Sequence, residues 1–354
     1  LPPTEIVDDD GEVHAVKDWT EWWKHGGTKE QFEQIKSIAR KIEIDGVANV
    51  VDIIEQLRTD IANGKSLAGK YFTEWPRLNS LISGWNDGNL IGVHANAKQG
   101  KSKFCLNLLH HLVDTYNENG YYHSEEETPT EIVTNWVSMI TSTHYDKVTS
   151  IELDTALAKA ANMESDILFG YTAQRKFDKV ADTIRQVVRR YGVKFVVFDN
   201  LQLLETPKDN WTQAIANHAN GFKSLALELG ILLVLVIQPH SVKQGEVLTS
   251  NDVHGSSQVQ KAVDCMINIT RQSTIPNLKY SDITSIGHAQ TDAAFSPIMF
   301  IYMDRSRRSA GGSCTLYFDG AKNKVSNDAP PLESPQPTMP HMDVPWDQVD
   351  AVSV

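Results

Sequence analysis

Short, nearly unbroken apolar runs alternate along this chain with longer stretches in which apolar residues return every three or four positions. The run Ile91-Gly92-Val93-His94-Ala95 reads as a buried strand. Phe104, Cys105, Leu108, Leu109, Leu112 and Val113 then recur at helical spacing and predict an amphipathic helix. A second strand is expected to end at Ser124. A helix follows, with Thr128 as N-cap, Pro129 in its first position and Glu131 closing a capping box. Residues 133–190 read as mostly helical, interrupted by the apolar piece Ile167-Leu168-Phe169-Gly170. The runs 193–199 and 230–237 end at Asp199 and just before Gln238, as strands buried on both faces of a parallel sheet do. Further strands are predicted at 266–269, 298–303 and 314–318. The class is α/β. Upstream, a Trp-rich helix is expected around Trp19, Trp22 and Trp23, a second over 28–39, and an amphipathic one over 50–61. The Trp cluster fits a small core or docking face better than a stacking surface.

Composition narrows the class. A hydrophobic content of 41% supports a full core. No apolar run reaches the roughly 18 residues of a membrane span. Three scattered cysteines, Cys105, Cys265 and Cys314, spell no metal site and suit a reducing compartment. The net charge of −12 argues against nucleic acid until its distribution is considered. Much of it sits at the ends, in Glu5, Asp8, Asp9, Asp10 and Glu12, and in Asp328, Glu333, Asp343, Asp347 and Asp350. The middle is near neutral and leaves room for a local basic channel. The start Leu1-Pro2-Pro3 lacks Met and suggests a piece of something longer.

The chemistry concentrates where strands end. Ala95-Asn96-Ala97-Lys98-Gln99-Gly100-Lys101-Ser102, between a strand and a helix, has the layout of a phosphate-binding P-loop with Ala95 in place of the first Gly. Backbone N–H groups and the helix N-terminus would wrap phosphates, Lys101 would neutralise them, and the Ser102 hydroxyl would take a place on Mg²⁺. Asp199 is the natural second Mg²⁺ partner. Glu125, Glu126 and Glu127 lie at a strand's carboxyl end, where ligands bind in open α/β sheets, although a solvated acidic loop explains them equally well. Gln238 stands where a γ-phosphate could be sensed, and Arg305, Arg307 and Arg308 where a neighbour's phosphate could be reached.

The order of these motifs resembles the DnaB-type hexameric replicative DNA helicases, nearest to phage primase-helicases and the mitochondrial helicase Twinkle. The likeness covers about residues 70–320. It rests on the P-loop, on Ser124-Glu125-Glu126 as a Ser-x-Glu motif, on Phe198-Asp199-Asn200-Leu201-Gln202 as a Walker-B signature, and on Val253-His254-Gly255-Ser256 through Asp264. Arg305-Ser306-Arg307 stands where that family has Lys-x-Arg, and Lys261 where it usually has Gln. The resemblance implies a RecA-like core with a mostly parallel sheet flanked by helices. It implies Glu126 (Glu125 second) as the carboxylate polarising water, Gln238 as γ-phosphate sensor, and Arg305 with Arg307, or Arg308 if the register slips, as residues reaching the adjacent site.

It further implies ATP or another NTP or dNTP as substrate with Mg²⁺, a homo-oligomeric ring (a hexamer in the family), and single-stranded DNA gripped by the 240–256 loop through Lys243, Gly255 and Ser256. The expected division is a toprim-like end over 1–48, a linker helix over 49–70, the motor over 71–325, and a disordered acidic, Pro-rich tail over 326–354. The tail's Met342-Asp343-Val344-Pro345-Trp346-Asp347 is a candidate docking peptide for a polymerase or other replisome protein. The expected location is the cytoplasm of a bacterial or phage-infected cell, a mitochondrial one staying open. The competing readings are a RecA-like ATPase for recombination or repair and a nucleotide-gated scaffold.

Overall fold

In the computed structural model the described residues are 5–7, 10–38, 49–63, 68–239, 247–253, 256–274 and 294–329. The chain divides into two units, residues 1–65 and 66–354. In the first, β1 (Glu5–Val7) and β2 (Val13–Ala15) pair antiparallel, followed by α1 (Trp19–Lys24), α2 (Lys29–Ile38) and α3 (Val50–Ala62). The Asp18 carboxylate caps α1, accepting from the N–H of Thr20 and Glu21 at 2.8 and 2.9 Å. The hairpin carries no marked apolar period and sequence reading missed it. Trp22 is buried with Ile6 and Val16, and Trp19, Phe32 and Ile35 pack against them, so Trp22 centres a small core while Trp23 stays exposed. Helix α3 buries none of its residues: Val50, Val51, Ile53, Ile54, Leu57 and Ile61 are all exposed.

The second unit starts with α4 (Pro76–Asn79), β3 (Leu90–Ala95), α5 (Lys101–Tyr116), β4 (Gly120–Ser124), α6 (Pro129–Thr141), α7 (Ser150–Asn162) and β5 (Ile167–Gly170). It continues with α8 (Phe177–Tyr191), β6 (Phe195–Asp199), α9 (Trp211–Leu229), β7 (Leu232–Ile237), α10 (Ser256–Ala262) and β8 (Cys265–Thr270). It closes with β9 (Ile298–Ser306), β10 (Gly312–Asp319) and β11 (Lys324–Ser326). These strands form one sheet in the order β11-β10-β9-β8-β3-β7-β6-β4-β5. From β8 to β5 all pairs are parallel, and β9, β10 and β11 extend the sheet antiparallel.

The central strands are wholly buried because helices cover both faces. Phe104, Leu108 and Leu112 of α5 and Ile132 and Trp136 of α6 pack on one side with Val93, Tyr122 and Val197. Ile184 of α8 and Phe222 and Leu225 of α9 pack on the other with Tyr121, Phe198 and Leu235. This is the expected α/β core with a mostly parallel sheet. The capping box at Thr128 and Glu131 forms as read.

Other elements differ from the sequence reading. The piece 167–170 is an edge strand, half-buried along its length, whose four residues are too few to show a strand period. Strand β9 runs three residues further than expected, so Arg305 sits inside it opposite Met266. Helix α10 and strand β11 were not anticipated; both are too short to show a period. Residues 64–67 and 275–293 and the tail from 330 lie outside the described residues.

Candidate functional site

Strand β3 delivers the chain into the P-loop at Ala95, which is fully buried. Lys98 takes a positive φ of 59°, and Gly100 a φ of 88° as the residue preceding α5. A Cβ at Gly100 would also lie 3.3 Å from Met299 and 3.4 Å from Phe318, so glycine suits that position twice over. The Gln99 side chain is engaged within the chain. Its amide clasps the Arg271 backbone, donating to the carbonyl at 3.0 Å and accepting from the N–H at 2.6 Å, which ties the loop to the end of β8. Asn96 is buried with an unpaired Oδ1, and Ala97 lies in the turn that follows it.

A cavity of 410 Å³ opens at this loop, lined by Lys98, Gly100, Lys101, Ser102 and Lys103 on one side and Glu126 and Glu127 on another. Thr134, Asn135, Tyr145, Phe318 and Asn323 continue it away from the loop. Lys101, Ser102 and Glu126, singled out from sequence, therefore share one cavity. Asp199 lies at the end of β6, hydrogen-bonded in register beside β4. It is 1% exposed, and its Oδ2 accepts from the Tyr122 hydroxyl at 2.8 Å. Its Oδ1 has no hydrogen-bond partner. Burial and the Asp199 charge raise the Tyr122 hydroxyl far above the ordinary tyrosine range, so it stays a donor.

The three carboxylates of the acidic loop have separate fates. Glu125 turns inward, its side chain 2% exposed, and pairs with His123 at 2.8 Å and with the Thr172 hydroxyl at 2.6 Å. Burial pushes its carboxyl up, but the His123 and Thr172 hydrogen bonds together outweigh this and hold it below the usual glutamate value. Glu127 pairs with Lys103 at 3.0 Å. Glu126 faces the cavity, with Oε2 accepting from Asn200 Nδ2 at 2.9 Å. Asn200 was quoted in sequence only as part of a signature. Its contact crosses from β6 to β4, a pairing no linear pattern displays.

Gln238 follows β7, and its backbone is clamped by the Gln202 amide, which accepts from its N–H and donates to its carbonyl, both at 2.9 Å. Arg307 lies away from its own P-loop cavity. It lines a second cleft of 210 Å³ with Trp85, Asp264 and Arg308. There its guanidinium meets Asp264 at 3.2 Å and donates to the Lys261 carbonyl at 2.5 Å. Asp264, also bound by Lys223 at 2.7 Å and by the Leu90 N–H at 2.8 Å, is a partner that the sequence left unassigned. Arg305 is half-buried, with an unpaired Nε. Lys243 and Gly255 lie outside the described residues; Ser256 is the first residue of α10, and its side chain is not described.

Among the described residues no three His, Cys, Asp or Glu cluster as a metal cage. That is compatible with Mg²⁺, a hard cation that takes few protein oxygens beside phosphates and water. The orphaned Asp199 Oδ1 and the Ser102 hydroxyl are donors of the right kind.

The chain is similar in sequence and in fold to known proteins. Replicative DNA helicase DnaB of Buchnera aphidicola (Baizongia pistaciae) is 22% identical over 271 residues, 72% of this chain and 55% of that protein. Its namesake in Geobacillus stearothermophilus is 20% identical over 313 residues, covering 84% and 66%. The chain thus spans about half to two thirds of these relatives. A solved ATPase domain matches over its whole length and 81% of this chain, with a TM-score of 0.66 at 18% identity. A DnaB-like replicative helicase, described with its interactions with primase, matches with a TM-score of 0.61 at 17% identity, over 85% of this chain and 71% of that one. The family model of the DnaB-like helicase C-terminal domain matches residues 72–327. With its RecA-like sheet and P-loop, the chain belongs to the DnaB-like helicase C-terminal domain family.

Proposed function

We propose that this chain is the motor of a replicative DNA helicase, a ring of identical subunits that hydrolyses NTP while moving along single-stranded DNA and parting the duplex. The observation that carries the reading is the placement of Glu126, held by Asn200, in the same cavity as Lys101 and Ser102. The Lys101 ammonium and the N-terminus of α5 hold the phosphates. The part of the cavity toward Tyr145 and Phe318 takes the nucleoside. Ser102 and Asp199 are the residues that would hold Mg²⁺, whose chemistry is to neutralise the β- and γ-phosphate oxygens. Glu126, aligned by Asn200, accepts a proton from the water whose oxygen attacks the γ-phosphorus as its bond to the β-phosphate oxygen breaks. Gln238, with its backbone fixed by Gln202, stands one strand away as the phosphate sensor.

The lining of the P-loop cavity holds lysines and no arginine among the described residues. Arg307 and Arg305 would therefore serve the site of the next subunit, where an arginine finger contributes roughly 10³–10⁵ in rate. The unpartnered apolar face of α3 suits a helix that lies on an adjacent copy in a hexameric ring. Strand contact is assigned to the 240–256 loop with Lys243, Gly255 and Ser256, and the tail near Trp346 to a replisome partner such as a polymerase.

The test is NTP hydrolysis with and without single-stranded DNA. Stimulation by DNA should disappear in Lys101→Ala. Arg307→Ala should keep nucleotide binding and lose turnover by about 1,000-fold or more. Turnover indifferent to DNA would overturn the motor, and failure to unwind a forked duplex would favour a recombination-type ATPase. Undiminished turnover in Arg307→Ala would mean that another arginine is the finger.

A further inference from the structure

Glu126 is one of three adjacent glutamates, and a free acidic loop would hold it poorly, since neighbouring like charges repel. The structure separates the three by giving each its own partner: Lys103 for Glu127, Asn200 for Glu126, and a buried cluster for Glu125. That cluster lies on the side of β4 opposite the cavity. Tyr121, His123 and Glu125 follow one another at a period of two, the Tyr121 hydroxyl 2.9 Å from His123 Nδ1 and His123 Nε2 2.8 Å from Glu125 Oε1. Thr172, just after β5, donates to the same oxygen at 2.6 Å. A carboxylate buried to this degree is costly unless fully hydrogen-bonded, and here the bonds are present.

Arg175, in the loop between β5 and α8, completes the cluster from solvent, its side chain half-exposed. Its Nε lies 3.6 Å from Glu125 Oε2, and its Nη2 donates to the Glu125 backbone carbonyl at 2.9 Å. That carbonyl belongs to the peptide whose N–H is Glu126's, and this N–H donates to Ser124 Oγ at 3.1 Å. The peptide preceding Glu126 is therefore held at both ends, by Arg175 on one side and Ser124 on the other. The Glu125 N–H also donates to the Asp199 carbonyl at 2.7 Å, and Arg175's own carbonyl accepts from the Glu205 N–H at 2.6 Å. The ends of β4, β5 and β6 are thus fastened around this one peptide.

We infer that Arg175, aimed by the buried Glu125 carboxylate, is a positioning residue that fixes the Glu125–Glu126 peptide and thereby places the Glu126 carboxylate for attack on the γ-phosphate. Arg175 does not line the nucleotide cavity and does not touch Glu126's carboxylate. Its effect therefore falls on turnover and spares binding. The inference rests on the reading of Glu126 as the carboxylate that activates water.

The experiment uses the full chain with four variants: Arg175→Met, Arg175→Lys, Glu126→Gln and the double Arg175→Met/Glu126→Gln. DNA-stimulated NTP turnover is measured together with binding of a fluorescent nucleotide and thermal melting. Displacing a reacting group by about 1 Å costs on the order of 100-fold. Arg175→Met should therefore lose about 10- to 100-fold in kcat, with KM and nucleotide affinity within about twofold of wild type and melting little changed. Lysine keeps the charge and donates from a single nitrogen without the planar fork, so Arg175→Lys should recover part of the loss. The double variant should be no slower than Glu126→Gln alone, because a residue acting through Glu126 has nothing to place once it is gone. Turnover within twofold of wild type in Arg175→Met overturns the inference. So does a double variant whose losses multiply, or a loss confined to KM. Wild-type turnover in Glu126→Gln would instead sink the catalytic reading of Glu126, and the positioning role with it.

Discussion

Tyr122→Phe tests the geometry of the proposed metal carboxylate without changing a side chain that lines the nucleotide cavity. The ring is 1% exposed and stacked into the α5 side of the core, so phenylalanine keeps the packing. What disappears is the 2.8 Å hydrogen bond to Asp199 Oδ2, together with a long one of 3.4 Å to the Ser102 backbone carbonyl. Asp199 remains buried, and its Oδ1 already lacks a partner, so the variant leaves a carboxylate with no side-chain donor. A hydrogen bond to a charged group contributes about 1.5–3 kcal/mol, and the burial here places the loss toward the upper half. At about 2–4 °C per kcal/mol for a domain of this size, melting should fall by roughly 5–10 °C. Adding Mg²⁺ with a non-hydrolysable nucleotide supplies a cation to the same carboxylate. Ligand-induced stabilisation should therefore be larger in the variant than in the wild type. The assay is thermal melting of both proteins with and without that complex. A fall of less than about 1 °C without ligand would refute the assigned hydrogen bond. A ligand-induced shift smaller than in wild type would refute the placement of the cation beside Asp199.

Two further outcomes follow from the fold. Gly69 lies against the backbone of Gly84 and Trp85, where a Cβ would come within 2.0 and 2.4 Å. Gly69→Ala should cost more than about 2 kcal/mol. Gly192→Ala, at a φ of 64° with open space around it, should cost only about 1 kcal/mol; equal melting of the two variants would contradict this. Burial holds His94, His110, His111 and His218 below the ordinary value of 6.5, so each resists protonation in the folded chain. The unfolded chain binds those protons first. Their contribution to stability is thus present above pH 6.5 and lost as pH falls below it. The denaturant midpoint should drop between pH 7.5 and about 5.5, and a flat profile across that window would count against the assignment.

The parts of the site that were legible in the sequence are those whose geometry is local. Residues 95–102 are contiguous, and the strand before and the helix after can be read from their own apolar periods. Asp199 ends an apolar run, so its position at a strand edge follows from the run itself. The partners were not legible, because they depend on sheet order. Tyr122 meets Asp199 and Glu126 meets Asn200 only because β6 is inserted beside β4. One signal could have separated Glu126 from Glu125 earlier. Extending the alternation of β4 puts Tyr122, Ser124 and Glu126 on the face toward α5, and Tyr121, His123 and Glu125 on the face toward α8 and α9. The resemblance chose Glu126 by motif position; the pleat of the strand gives the physical reason for the same choice.

The arginines make the complementary point about what one chain holds. In β9 the ladder places Arg305 opposite Met266, and Arg307 falls just beyond the last paired residue, where Asp264 takes it. Asp264 is fixed in turn by Lys223 and by the first N–H of β3, the strand that runs into the P-loop. One acidic residue thus links the arginine cleft to the root of the nucleotide strand, while the guanidinium itself stays half-exposed, outside its own chain's P-loop cavity. On the proposed reading, phosphate-binding lysines in one cleft and a tethered Arg307 in another are half of a site twice over. Two copies that bring the arginine cleft of one against the P-loop cavity of the next would complete both halves with a single contact. Hydrolysis would then depend on assembly, and β3 would give each subunit a rigid path between the nucleotide it holds and the arginine it offers.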